Sequence, residues 1–343
     1  MSKYVIIDEH GEIYLDNIES KIQSPEICKE VLNNLQLNLD FTLTTMIDDE
    51  IHLVEAFDFP LTAHAVTLAN DKVLIHTDFN LYFEAQDDQW SVNAQDQFQG
   101  MTSSGAPFKL SKKAQAQLFT QCDEYDDDSF TLGGKNILTP PYYIENKDIQ
   151  KPQFWGELYK AETSPRWDLN EAAEAFKDML HRLKLPKSRI LVLGCGGGHD
   201  AAFFAQAGHV VTAVDFSTEA IQKAKAQYGH LHNLSFEQMN VFDLPHEWNF
   251  TFDVVIEHTL FCAIDPTMHQ KLVTVWKRVL HEEGQLLSVF FTMFKRLGPP
   301  YGSTEFELRA LLMPHFQFLF WGRLRNSIPD RLGKELFVLG KKR

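Results

Sequence analysis

The sequence predicts an α/β fold in two parts, a Rossmann-like, mostly parallel sheet preceded by a smaller β-rich α+β domain. The chain has 343 residues, which corresponds to roughly two domains of about 150 residues each. Strand-like runs dominate the first 150 residues. After them, short apolar runs alternate with helical patterns, which is typical of βαβ units that build a parallel sheet.

The distribution of charge supports the same division. Residues 1–150 carry 26 acidic and 9 basic side chains, a net charge of −17, whereas residues 151–343 carry 21 acidic and 23 basic side chains, a net charge of +2. The segment Thr139–Pro152 contains three prolines and has no periodic pattern. We therefore expect an acidic accessory domain of unknown role over residues 1–150 and a separate domain over residues 151–343.

The composition argues against several classes of protein. A net charge of −15 does not suit nucleic acid as the main partner, because a polyanion requires a basic surface. The sequence has no apolar run of about 18 residues and no signal-peptide pattern at its start, so we expect no membrane association. The four cysteines lie far apart, so we expect no metal site and a reducing, cytoplasmic environment. The oligomeric state is open between monomer and homodimer.

The first domain contains strand patterns, turns and two helix patterns. A hairpin is expected from Tyr4–Ile7 and Glu12–Leu15, with Gly11 in the turn. A helix begins at Pro25, because Ser24 suits the N-cap and proline the first helical position. The sequence carries no catalytic signature here. The other expected elements are strands at Phe41–Ile47, Ile51–Phe57, Leu61–Ala69, Val73–Thr77 and Leu81–Ala85 and a helix at Leu110–Cys122.

The second domain begins with a strand, a glycine loop, a helix and a strand that ends in an acid. A helix at Asn170–Leu183 precedes the apolar strand Arg189–Leu193, and a helix at Asp200–Gly208 precedes the strand His209–Asp215. Glycines allow a cofactor to approach the backbone, and the acid at the end of the second strand suits ribose hydroxyls. The sequence therefore predicts a nucleotide-cofactor site.

The glycine loop alone leaves the cofactor undecided, because residues 196–201 also fit the G-x-G-x-x-A pattern of nicotinamide enzymes. The downstream order is more specific and is typical of class I methyltransferases dependent on S-adenosylmethionine (SAM), whose sheet has seven mostly parallel strands. Its expected parts are a third strand within Leu234–Pro245, a fourth ending in Glu257-His258, a helix at Pro266–Leu280, a turn at Glu283-Gly284 and a fifth strand at Gln285–Phe291.

Residues 152–343 resemble the thiopurine S-methyltransferase family, and within it the halide and thiol methyltransferases. An aromatic leader is followed by the glycine loop, by a fourth-strand motif and by a Gly-Pro-Pro-Tyr loop. His258 stands where halide-type members have tyrosine. The first 150 residues show no resemblance. The similar segments are Phe154–Asn170, LVLGCGGGHDA at residues 191–201, Glu257–Ile264 and Leu297–Thr304.

The resemblance implies an enzyme that transfers a methyl group from SAM to a small soft nucleophile by in-line displacement and releases S-adenosylhomocysteine. The acceptor class covers thiols, thiopurines, sulfide, halides and chalcogen oxyanions. Proximity and the exclusion of water lower the barrier for such a transfer. Two alternatives are a small-molecule O- or N-methyltransferase and a SAM-binding regulator without transfer activity.

The site residues are expected to fall into two groups. Those expected to bind SAM are the aromatic cover Trp155, Tyr159 and Trp167, the loop backbone of Gly194, Cys195 and Gly196, the ribose ligand Asp215, the adenine neighbours Phe216, Asn240, Val241 and Phe242, and Glu257 at the methionine amine. His258 is expected to be catalytic and to bind the substrate, as a base or an anion binder, with a structural imidazole as the alternative. Phe291 and Tyr301 are expected to line the acceptor pocket.

Overall fold

The computed structural model describes residues 3–160, 165–183 and 185–343, so residues 161–164 of the expected leader lie outside the described residues. The chain forms two compact units. Unit 1 comprises the residues up to Ile144 together with Met293–Arg296 and Thr304–Glu307, and unit 2 comprises the remainder. The division after Ile144 lies close to the expected boundary, but two short segments from the second half of the chain belong to unit 1.

Unit 1 consists mainly of short strands. Its two α-helices are α1 (Pro25–Asn33) and α2 (Lys112–Gln121). Its strands are β1 (Tyr4–Ile7), β2 (Ile13–Leu15), β3 (Gln36–Leu37), β4 (Leu43–Ile47), β5 (Glu50–Ala56), β6 (Leu61–Ala63), β7 (Ala65–Ala69), β8 (Lys72–His76), β9 (Tyr82–Glu84), β10 (Ser91–Val92), β11 (Phe98–Met101), β12 (Pro107–Leu110), β13 (Glu124–Tyr125), β14 (Ser129–Leu132) and β15 (Lys135–Leu138).

These strands form four small sheets, with the orders β2-β1-β5-β4-β3, β10-β11-β12-β6, β7-β8-β9 and β13-β14-β15. The expected hairpin is present, with Gly11 at φ +77°, and Ser24 caps α1 by accepting a hydrogen bond from the Ile27 amide. The single strand expected at Leu61–Ala69 is wrong. The chain leaves one sheet after β6 and enters another at β7, because β6 pairs with β12 whereas β7 pairs with β8.

Unit 2 contains one large sheet and most of the helices. Its strands are β16 (Arg189–Leu193), β17 (Val210–Asp215), β18 (Leu234–Gln238), β19 (Phe252–His258), β20 (Leu280–Phe291), β21 (Phe316–Arg323) and β22 (Glu335–Lys342). Its helices are α3 (Pro152–Lys160), α4 (Glu174–Leu183), α5 (His199–Gln206), α6 (Thr218–Tyr228), α7 (His269–Val279) and α8 (Glu305–Leu312), of which α8 begins in a segment of unit 1.

The seven-stranded sheet has the order β18-β17-β16-β19-β20-β22-β21. The first five strands in this order are parallel, and β22 runs antiparallel to both of its neighbours. Since parallel strands carry their carboxyl ends at one edge, the loops after β16, β17, β18 and β19 meet there. The predicted fold class, a doubly wound Rossmann-like sheet preceded by a β-rich region, is confirmed.

Two expected boundaries in unit 2 are wrong. Helix α4 begins at Glu174 rather than Asn170, since Asn170 has φ +57° and the Ala173 amide donates to the Asp200 carboxylate instead of entering a helix. The expected turn at Glu283-Gly284 lies inside β20, which already pairs at Leu280 and then shifts register against β19.

The large sheet has a separate apolar core on each face. Val254, Ile256 and Val289 face the core that contains Phe176 and Phe204, whereas Val255 and Phe290 face the core of Trp276 and Phe261. This alternation follows from the two-residue period of a strand. It places neighbouring residues at the end of β19 on opposite faces.

No helix within the described part of the chain is long and apolar enough to span a bilayer.

Candidate active site

The glycine loop follows β16 directly. Gly194 and Gly196 have φ of +64° and +51°, a region that favours glycine. A Cβ atom on Gly196 would lie 2.5 Å from Tyr159 Oη, and one on Gly194 would lie 2.8 Å from Leu260 Cδ1. The Cys195 amide donates to the Val214 carbonyl (2.9 Å), which ties the loop to the next strand. Positions 194 and 196 therefore have no room for a side chain, and the loop presents its backbone there.

Asp215 ends β17 beside this loop. Its carboxylate accepts hydrogen bonds from the amides of Gly196 (2.9 Å) and Ser217 (2.9 Å). Burial raises the pKa of this carboxyl, and the backbone hydrogen bonds oppose that shift. Phe216 follows, half-buried. The structure thus joins the predicted ribose ligand to the predicted loop.

The residues that follow β18 lie next to Asp215, at the carboxyl edge of the sheet. The Met239 amide donates to the Asp215 carbonyl (3.1 Å). The Asn240 side chain accepts from the Phe242 amide (3.0 Å) and so caps the short turn Val241–Asp243. Val241 is buried in the sheet core, and Phe242 is half-buried with Lys271 Nζ 4.7 Å above its ring. The Asn240 side chain is thus used as a turn former.

Glu257 lies beside the glycine loop on the side opposite Asp215. Its register partner in β16 is Leu193, the residue just before Gly194. The side chain is 1% exposed, and Oε1 accepts from the Phe261 amide (2.8 Å). Oε2 is buried and has no hydrogen-bond partner among the described residues. Burial raises the pKa of this carboxyl to about 7. An unpaired carboxylate oxygen at the glycine loop fits the ammonium group of the methionine part of SAM.

The predicted aromatic cover forms one cluster. Trp155 and Trp167 lie 5.7 Å apart and Tyr159 and Trp167 lie 6.2 Å apart between ring centroids, both edge to face. Trp167 Nε1 donates to Tyr159 Oη (3.2 Å). Since Tyr159 Oη approaches Gly196, the cluster lies against the glycine loop. Burial raises the pKa of Tyr159 well above its usual range, so its hydroxyl stays neutral.

His258 follows Glu257 but faces the opposite core, with its ring 5.8 Å from that of Phe176. Its Nδ1 lies 2.8 Å from Asp200 Oδ2, and its Nε2 lies 3.2 Å from Arg331 Nη1. Arginine can only donate, so Nε2 accepts and Nδ1 carries the hydrogen that points at Asp200. The hydrogen bond from Arg331 therefore requires the neutral form of the ring. Burial lowers the pKa of His258, but Asp200 outweighs burial and raises it.

Arg331 connects His258 to Glu335 and to Phe291, which is expected to line the pocket for the methyl acceptor. The residue is 7% exposed, and its guanidinium also contacts Glu335 Oε1 (3.3 Å) and lies 5.4 Å from the Phe291 ring centroid. Phe291 and Glu335 are register partners in β20 and β22. The structure therefore places Phe291 and His258 on the same guanidinium. Tyr301 is buried elsewhere, and its amide donates to the Cys262 carbonyl (2.7 Å) just after β19.

The sequence analysis does not identify Asp200, Arg331 or Glu335 as site residues. Asp200 lies two residues after the last glycine of the loop, so an acid at that position is a usable signal. Arg331 lies 73 residues after His258, in a segment without any spacing that indicates a site. Charged side chains that are almost fully buried mark such residues only once the fold is known.

Comparison with known proteins identifies the family of the chain. The family model described as "Thiopurine S-methyltransferase (TPMT)" matches residues 150–329, more than half of the chain. Thiocyanate methyltransferase 1 of Arabidopsis thaliana is 28% identical over 229 residues, which is 64% of this chain and 98% of that protein. Probable thiol methyltransferase 2 of the same plant is 28% identical over 167 residues, covering 47% and 71%.

Among solved structures, a Burkholderia thailandensis 1,6-didemethyltoxoflavin-N1-methyltransferase with S-adenosylhomocysteine bound has a TM-score of 0.46 and 19% identity, covering 65% of this chain and 99% of that one. The first 149 residues lie outside the match to the family model. The glycine loop, Asp215 and Glu257 lie within the matched part. The chain belongs to the thiopurine S-methyltransferase family and is a SAM-dependent methyltransferase.

Proposed function

We propose that the enzyme methylates a small, soft anion, such as thiocyanate, hydrosulfide or a halide, at a site organised by Arg331. The buried guanidinium is the observation that carries this proposal. A guanidinium has five N–H groups. Among the described residues, its partners are His258 Nε2, Glu335 Oε1 and the Trp167 carbonyl (2.9 Å), which leaves N–H groups for a ligand.

The surroundings of Arg331 suit a polarisable ligand. A cavity beside it is lined by apolar side chains that include Ala173, Val289 and Leu324, by the polar Asn326 and Ser327, and by the carboxylates of Glu174 and Glu335. A hard, strongly hydrated anion loses much of its solvation free energy in such a cavity, whereas a soft anion loses less. The guanidinium is itself weakly hydrated and pairs well with such an ion.

The partners of His258 favour an acceptor that is already ionised. Both ring nitrogens are engaged, Nδ1 with Asp200 and Nε2 with Arg331, so neither is free to remove a proton. A soft anion needs no proton removal before it attacks. The proposed role of His258 is therefore to hold the guanidinium toward the acceptor, which narrows the predicted catalytic role to positioning.

When bound, SAM supplies a methyl group on a positively charged sulfur. A lone pair of the anion forms the new bond to the methyl carbon while the carbon–sulfur bond breaks, and that electron pair remains on the sulfur of the product. Glu257 and Asp215 hold the ammonium and the ribose, and the aromatic cluster of Trp155, Tyr159 and Trp167 excludes water. These residues lower the barrier by orientation and desolvation.

The test is a panel of acceptors incubated with the full-length chain and methyl-labelled SAM. We expect turnover of thiocyanate, hydrosulfide and iodide. Turnover only of phenols or amines contradicts the proposal in favour of an O- or N-methyltransferase, and SAM binding without any turnover indicates a regulator. Arg331→Met should lower kcat/KM for the anions about 100-fold, as expected for about 3 kcal/mol of lost charge-assisted bonding. Arg331→Lys, which keeps the charge, should lose less.

A further inference from the structure

Trp167 belongs to both halves of the site. Its indole Nε1 donates to Tyr159 Oη (3.2 Å) on the cofactor side. Its backbone carbonyl accepts from Arg331 Nη2 (2.9 Å) on the acceptor side. Any movement of this one residue therefore displaces groups on both sides.

Asp168, the next residue, fixes the position of Trp167. Its side chain is 2% exposed, and Oδ2 accepts from Lys223 Nζ (2.7 Å) while Oδ1 lies 3.0 Å from His199 Nε2. Burial raises the pKa of Asp168, but His199 and Lys223 outweigh burial and hold it well below its usual range. A buried carboxylate held between a lysine and a histidine is a strong anchor for the backbone that carries it.

These partners connect Asp168 to the cofactor loop. His199 opens α5 directly after the glycines, and its Nδ1 lies 2.7 Å from Tyr228 Oη of α6. A Cβ atom on Gly197 would lie 3.2 Å from Asp168 Oδ2, so the carboxylate itself packs against the loop. Lys223 also lies in α6. Asp168 thus attaches Trp167 to the two helices that follow the glycine loop and Asp215.

We propose that Asp168 is a positioning residue that couples the two halves of the site, so that a bound cofactor prearranges Arg331 for the acceptor. This inference rests on the proposed function. A cofactor packed against the aromatic cluster restrains Trp167 and with it the carbonyl that holds Arg331. The ordering of Arg331 then costs the acceptor less free energy. By linkage, the acceptor raises the affinity for the cofactor by the same factor.

The coupling is measured by titrating S-adenosylhomocysteine into the full-length protein with and without saturating thiocyanate, by calorimetry. The probe carries no sulfonium charge, so attraction between a sulfonium and the anion does not contribute to the measured coupling. We expect thiocyanate to lower the Kd at least fivefold in the parent and less than twofold in Asp168→Asn. Equal coupling in the variant and the parent overturns the inference.

Asp253→Asn is the matched control. Like Asp168, Asp253 faces a histidine, with 2.8 Å to His281 Nε2. It accepts a hydrogen bond from the Arg189 amide (2.6 Å) and lies at the other end of the sheet. It should keep the coupling of the parent, and equal loss in this control overturns the inference. Should Asp168→Asn fail to fold, Lys223→Met removes one partner and keeps the carboxylate, and it should lower the coupling as well.

Amide hydrogen exchange provides a readout that does not depend on the acceptor. S-adenosylhomocysteine alone should slow exchange in residues 329–335 of the parent at least threefold, and not in Asp168→Asn. If the parent shows no slowing, the inference is wrong even when thiocyanate is methylated. If the parent shows slowing but no soft anion binds or is methylated, the proposed function fails and the coupling stands.

Discussion

Glu257 and His258 are neighbours at the end of β19, and the structure treats their side chains in opposite ways. One carboxylate oxygen of Glu257 is buried without a hydrogen-bond partner among the described residues. Both ring nitrogens of His258 have partners, in Asp200 and Arg331. Because successive residues of a strand face opposite sides of the sheet, the two side chains serve separate environments.

The difference indicates how the site divides its work. A buried charged oxygen without a partner is costly, so its presence marks a place where a ligand completes the bonding. A fully bonded histidine instead fixes the orientation of its neighbours before any ligand arrives. In the proposed function the cofactor completes the Glu257 side together with Asp215, whereas on the other side His258 restrains Arg331 and Trp167 supplies the further restraint that depends on the cofactor.

The largest expected effect is on the cofactor side, at Asp215. Asp215→Ala leaves the Gly196 and Ser217 amides without their carboxylate acceptor and removes the predicted ribose ligand. We expect the calorimetric Kd for SAM to rise about 100-fold, or about 2.7 kcal/mol. Asp215→Asn keeps one acceptor oxygen and should lose less. A Kd within threefold of the parent would remove Asp215 from the cofactor site.

A smaller effect is expected on the acceptor side, at His258. His258→Asn removes the hydrogen-bond acceptor of Arg331 and leaves the guanidinium in place but less constrained. We expect kcat/KM for the acceptor to fall about tenfold, which is about 1.4 kcal/mol. The Kd for SAM should stay within twofold. If SAM affinity fell as much as turnover, His258 would contribute to cofactor binding as well, and the division between the two sides of β19 would be wrong.

The smallest expected effect is a change of SAM affinity with pH. Burial raises the pKa of Glu257 to about 7, so below that pH the carboxyl is protonated and cannot pair with an ammonium ion. Affinity should therefore rise several-fold between pH 6 and about pH 7.5, before the α-amino group of SAM begins to lose its own proton. In Glu257→Gln the same titration should be flat, and an equal slope in parent and variant would assign the dependence to another group.

The cofactor side could be predicted from the sequence because its signals are local. The glycines follow β16 directly, Asp215 and Glu257 lie at the ends of apolar strands, and parallel strands bring their carboxyl ends to one edge. The acceptor side depends on contacts across 58 and 73 residues, from His258 to Asp200 and to Arg331. No periodic pattern records such contacts.

In unit 1, too, local sequence patterns predict only part of the fold. The long alternating runs at β4 and β5 could be predicted, because each has a buried face. Strands of only two residues, such as β10 and β13, are too short to show a period, and the sequence analysis misses them. The change of sheet at His64 leaves no trace in the run Leu61–Ala69, because the run contains no glycine or proline to mark a break.

The most direct test of the division at β19 compares Glu257→Gln with Arg331→Met in the same two measurements. We expect Glu257→Gln to weaken SAM binding at least tenfold while kcat/KM for the acceptor, at saturating SAM, stays within threefold of the parent. Arg331→Met should show the reverse, with SAM affinity retained and acceptor kcat/KM reduced about 100-fold. If both variants lose the same parameter to a similar extent, the two sides of β19 do not serve separate ligands.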